Sequence, residues 1–130
     1  MDFSANTSKQ SPRVLVVEDD PDTARSLAVL LGGWGYQAEV THDGEQAEKA
    51  ALARRPDAVI LDIGLPKKNG LEVARSLRGH FSTELLIIAV TGRSQPLDQV
   101  ACAAAGIDIH FPKPADPEKI REALARFLEA

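Results

Sequence analysis

Short apolar runs alternate along the chain with stretches whose apolar positions recur at helical spacing. "RVLVV" (13–17) is β-branched and apolar after Arg13, the pattern of a strand covered on both faces. "YQAEV" (36–40) alternates in part and predicts a second, weaker strand. "DAVIL" (57–61), "LLIIAV" (85–90) and "IDIHF" (107–111) predict three more. Between them lie five helical patterns. The first opens at Asp20 as N-cap with Pro21 at the first helical position, carries Ala24, Leu27, Ala28 and Leu31 on one face, and is expected to stop at Gly32 and Gly33. The second opens with Asp43 and Gln46 at capping-box spacing and has a stripe of small residues, Ala47, Ala50 and Ala51. "LEVARSLR" is a short third helix. An Ala-rich fourth, within "SQPLDQVACAAAG", is expected to put Leu97, Val100, Ala101 and Ala104 on one face. The fifth has Asp116 as cap, Pro117 at the first position and a stripe of Ile120, Ala123, Leu124 and Phe127.

Five strands in strict alternation with five helices imply right-handed crossovers and one parallel sheet with helices on both faces, an α/β doubly wound fold. The length of 130 residues suits one domain, read as residues 12–130 behind a polar lead, "MDFSANTSKQS", over residues 1–11 that is expected to be disordered. Composition adds mainly exclusions. A net charge of −4 offers no footprint for direct nucleic-acid binding. No apolar stretch is long enough for a membrane span. One cysteine cannot form an internal disulfide and fits a cytoplasmic setting.

In an open α/β sheet, ligands sit beyond the carboxyl ends of the strands. The first strand delivers Glu18, Asp19 and Asp20 there, the third Asp62, the fourth Thr91, and the fifth Lys113 between Pro112 and Pro114. Clustered carboxylates repel unless positive charge neutralises them, and the two candidates are Lys113 and a divalent cation. An all-oxygen donor set without His or Cys suits Mg²⁺, with Asp19 and Asp62 as direct ligands and Glu18 acting through water. A carboxylate can accept a phosphoryl group as an acyl phosphate, and transfer needs charge neutralisation on the phosphoryl oxygens. Lys113 and the Thr91 hydroxyl are placed to supply it.

These segments, "VLVVEDDPD", "PDAVILDIGLPKKNGLEV", "IIAVTG" and "FPKP", taken in order, resemble the response-regulator receiver domains of two-component signalling, over residues 13 to about 129. The resemblance implies a flavodoxin-like sheet of order 2-1-3-4-5. It implies that Asp62 is the phosphoacceptor, that Glu18 and Asp19 hold Mg²⁺ with the Gly64 backbone carbonyl, and that Asp20 is a helix cap outside the pair. It implies that Thr91 is the switch hydroxyl and that Lys113 is the basic partner, with a cis bond to Pro114. The chain would take its phosphoryl group from a histidine kinase or a histidine phosphotransfer protein. It would be a signalling domain rather than an enzyme, although it assists its own phosphorylation and dephosphorylation. Its output would pass through the face formed by the fourth helix, fifth strand and fifth helix, with Ala101, Ala105, His110 and Arg121, to a downstream protein. Two positions depart from the commoner pattern. Gly64 leaves the acceptor more open, and His110 stands where many receivers carry a Tyr or Phe that turns inward on activation.

Plainer roles compete at single positions. Thr91 could cap the next helix, although Ser94 can do so instead; His110 reads as a half-buried surface ring; Cys102 reads as a packing residue; Trp34 reads as cover for a core edge. His42 and His80 carry no readable message. Other functions fit less well. "EDDPD" would repel the phosphate of a bound flavin nucleotide. Haloacid-dehalogenase-type phosphatases carry a second acid where Gly64 stands, and no P-loop motif is present. The alternatives that share the fold are a docking-only pseudo-receiver and a receiver fragment of a larger hybrid kinase or regulator.

Overall fold

The structure is a computed structural model and describes residues 11–65, 69–92 and 99–129. Residues 1–10 of the predicted lead over 1–11, the face position Leu97 and the candidate cap Ser94 lie outside them. The elements run β1 (Arg13–Val17), α1 (Pro21–Gly33), β2 (Gln37–Thr41), α2 (Gly44–Ala53), β3 (Ala58–Asp62), α3 (Gly70–Phe81), β4 (Leu86–Thr91), α4 (Gln99–Ala104), β5 (Ile109–Pro112) and α5 (Pro117–Leu128). A one-turn 3₁₀ segment, Ser82–Glu84, links α3 to β4. The sheet is parallel throughout, in the order β2-β1-β3-β4-β5.

The period-2 pattern of the strands feeds two cores. Val14, Val16, Ile60, Ile88 and Val90 face α1 and α5. Leu15, Val17, Val59, Leu61 and Ile87 face the side of α2 and α3. β3 and β4 are buried at every position, while the edge strands β2 and β5 are only partly covered, which is why "YQAEV" reads as the weaker strand. Ala47 and Ala51 of the small-residue stripe are fully buried, so α2 lies close to the sheet.

The caps form largely as predicted. The Asp20 carboxylate accepts from the Thr23 amide at 3.2 Å, and Asp116 accepts from the Glu118 amide at 2.9 Å. Asp43 accepts from Gln46 at 2.9 Å, and the Gln46 side chain returns to the His42 amide at 3.0 Å. Three expectations are corrected. Gly32 and Gly33 belong to α1; the stop is Gly35, at φ 98°, whose amide donates to Gly32 while that of Tyr36 donates to Leu31. The buried positions are Cys102 in α4 and Ala105 just past its end instead of the predicted face, leaving Val100 79% exposed and Ala104 exposed. Phe127 of the α5 stripe is 42% exposed. Trp34 packs against the α1/α5 core as predicted, with the Arg121 guanidinium 5.8 Å from its ring centroid. Ala105 is buried, so it does not stand on the expected output face, whereas Arg121 is exposed.

Candidate functional site

Strand register assembles the site. Val17 pairs with Leu61, so one step further along both strands Glu18 and Asp62 lie abreast. Thr91 pairs with Pro112, which brings Lys113 to the same edge. The Lys113 ammonium donates to Glu18 Oε1 at 3.0 Å and to Asp62 Oδ2 at 3.2 Å. The side chains of Glu18 and Asp62 are each 8% exposed. The Lys113 amide donates to the Thr91 carbonyl at 2.6 Å, which ties the base of the lysine to the end of β4. The bond to Pro114 is cis. Thr91 is buried at the end of β4.

Each carboxylate has further partners. Asp62 Oδ1 accepts from the Gly64 amide at 3.0 Å, and Glu18 Oε2 accepts from the Asp20 amide at 3.1 Å. Oxygens of Glu18, Asp19 and Asp62 lie within 4.8 Å of one another, the one such acidic group among the described residues. Three carboxylates against one ammonium leave two formal negative charges uncompensated. Burial pushes the Glu18 carboxyl above its ordinary range; the Asp20 amide and Lys113 oppose that without cancelling it, and the Asp62 charge adds to it. Burial would lower the Lys113 ammonium, but its hydrogen bonds to Glu18 and Asp62 and their charges outweigh this and raise it. It therefore stays protonated at neutral pH. The donor set is all oxygen and carries excess negative charge, which fits a hard divalent cation.

Asp20 is separate. Its exposed carboxylate is lowered from its ordinary value by the hydroxyl and then the amide of Thr23, in keeping with a cap. His110 is half-buried on β5, opposite Ala89. Beside the acids a cavity of about 580 Å³ opens between α1 and α5, over an apolar floor that includes Val16, Ile60 and Val90.

Sequence reasoning missed His42. Its ring, at the end of β2, reaches the backbone carbonyl of Glu18 at 2.9 Å. A lone histidine on a turn gives no local signal; only the β1–β2 pairing brings it there.

Comparisons with known proteins agree with this geometry. A family model for the response regulator receiver domain matches residues 14–125. Response regulator MprA of Mycobacterium tuberculosis is 41% identical over 116 residues, which cover 89% of this chain and 49% of that protein. The chain thus spans about half the length of the curated relatives it matches. A response regulator receiver domain from Methylobacillus flagellatus superposes with a TM-score of 0.81 at 29% identity, covering 91% of this chain and 99% of that one. The receiver domain of a Pseudomonas aeruginosa sensor histidine kinase, solved with a magnesium ion coordinated in its active-site cleft, superposes with a TM-score of 0.79 at 28% identity, covering 92% and 99%.

Proposed function

The chain belongs to the response regulator receiver family of two-component signalling, and from that premise we propose that it accepts a phosphoryl group on Asp62. The observation that carries this reading is the Lys113 ammonium bridging Glu18 and Asp62 beside Asp19. An Asp62 carboxylate oxygen attacks the phosphorus of a phosphohistidine. The new O–P bond forms as the P–N bond breaks, and the departing imidazole keeps the electron pair and takes up a proton. Lys113 then has a phosphoryl oxygen to neutralise, and the Thr91 hydroxyl donates to another. Glu18, Asp19, Asp62 and the Gly64 carbonyl would hold Mg²⁺, which supplies charge neutralisation on the phosphoryl oxygens. The magnesium-bound kinase receiver, similar in fold and sequence, supports that choice of ion.

The donor is a histidine kinase or a histidine phosphotransfer protein in the cytoplasm, and the output is a change at the face of α4, β5 and α5. On that face we place Ala101, His110 and Arg121 and, in view of their exposure, Val100 and Phe127, in place of the buried Ala105. Intact mass after incubation with acetyl phosphate tests the chemistry. Wild type with Mg²⁺ is expected to gain one phosphoryl group; wild type without Mg²⁺, and Asp62→Asn with it, are expected to gain none. An adduct that survives in Asp62→Asn would assign the acceptor elsewhere.

A further inference from the structure

The end of β2 holds the loop that carries the acidic pair. The Thr41 hydroxyl donates to the Val16 carbonyl at 3.0 Å, and the Glu18 amide donates to the Thr41 carbonyl at 3.0 Å. His42 Nδ1 then lies 2.9 Å from the Glu18 carbonyl oxygen. A carbonyl oxygen only accepts, so the contact is a hydrogen bond only with the proton on Nδ1. The His42 backbone is itself fixed by its amide, which donates to Gln46 Oε1 at 3.0 Å in the first turn of α2.

From this geometry we propose that His42 is a positioning residue for the acidic pair: its Nδ1–H locks the peptide plane between Glu18 and Asp19. That plane fixes ψ of Glu18 and φ of Asp19, and with them the direction in which the Asp19 carboxylate leaves the chain. Glu18 has other restraints, the Lys113 ammonium and the Asp20 amide on its side chain. Asp19 is exposed and comes directly after the locked peptide. The ring's hydrogen bond is to the Glu18 backbone carbonyl and not to a carboxylate oxygen of the acidic group, so its effect is on geometry before binding, as with outer partners that orient metal ligands. The inference rests on the receiver reading for its consequence, Mg²⁺ affinity, but not for the hydrogen bond itself.

Two measurements on metal-free protein and one with Mg²⁺ decide it. A long-range ¹H–¹⁵N correlation spectrum at mildly alkaline pH is expected to show neutral His42 protonated on Nδ1. The ¹⁵N order parameter of the Asp19 amide, which lies in that peptide plane, is expected to fall in His42→Ala and in His42→Phe, which keeps a ring but lacks the donor. It is expected to return to the wild-type value in His42→Asn, whose Nδ2 is bonded to Cγ as Nδ1 is. Calorimetric titration with Mg²⁺ is expected to give a dissociation constant about 2- to 10-fold weaker for the Ala and Phe variants, the range for one hydrogen bond, and near wild type for Asn. A proton on Nε2, or an unchanged Asp19 order parameter and unchanged affinity in His42→Ala, would overturn the proposal. Wild type that binds no Mg²⁺ would count against the receiver reading, while the metal-free spectra would still decide His42.

Discussion

Asp62 and Tyr36 show how the same rule acts at opposite ends of the sheet. A buried acid needs a donor, and at Asp62 the donors are Lys113 and the Gly64 amide. Tyr36 is buried, and its hydroxyl donates to Glu129 at 2.6 Å, tying the α1–β2 turn to the end of α5. Burial, then the Glu129 hydrogen bond and charge, push the Tyr36 hydroxyl from 10.0 up to about 12. The folded value lies above the unfolded one. The stability this contributes is therefore complete below pH 10 and is lost as pH rises toward about 12. Tyr36→Phe is expected to lose about 1 kcal/mol at neutral pH and to show a shallower alkaline loss than wild type, read from urea unfolding midpoints across the alkaline range. Equal alkaline slopes would remove Tyr36 as the cause.

At the scale of elements, the start of α3 packs directly against the end of β3 that carries Asp62. Asn69 caps α3 through the Glu72 amide at 3.0 Å, and the Gly70 amide donates to the Ile63 carbonyl at 3.1 Å. A Cβ on Gly70 would stand 2.6 Å from Ile63 Cα and 2.9 Å from the Asp62 carbonyl oxygen, both backbone atoms that cannot step aside. Gly70→Ala is thus expected to destabilise by about 1–3 kcal/mol, the range for overpacking, and to slow phosphorylation by displacing Asp62. Chemical denaturation and acetyl-phosphate kinetics measure the two effects; wild-type values in both would mean the loop yields freely. The opposite end of α3 is held by Arg78, which donates to the carbonyls of Leu85 and Gly106 and pairs with Asp108, whose carboxylate also accepts from the Ile87 amide. Nothing in "LEVARSLR" marks Arg78, because its partners lie past the end of its own helix, just before β4 and in the α4–β5 turn. The α4 face was misread for a related reason. In an Ala-rich helix every side offers small apolar residues, so periodicity alone does not choose the buried one; tertiary packing buries Cys102 within the helix and Ala105 just past its end.

Across the whole molecule, the site joins the ends of four strands, β1, β3, β4 and β5, so binding there acts on the fold. Lys113 and Glu18 are 95 positions apart, and Lys113 and Asp62 are 51 apart. A cation bound only by the folded chain stabilises it by mass action, about 2.7 kcal/mol at one hundred times its dissociation constant. Mg²⁺ is expected to raise the thermal unfolding midpoint in a saturable way in wild type and to leave Asp19→Asn and Asp62→Asn nearly unmoved, as read by differential scanning calorimetry. An equal rise in all three would mean a general ionic effect. The alternation of apolar runs and helical stripes was enough to determine five strands, five helices and a parallel sheet, because burial on both faces and on one face leave different periods in a local window. The acids at strand ends were equally visible, since strand termini fix where side chains emerge. Only the tertiary structure decided the register that sets Glu18 abreast of Asp62, the buried face of α4, the Arg78 clamp and the reach of His42 to the Glu18 carbonyl. Each depends on contacts between elements distant in sequence, and such contacts leave no mark on the residues between them.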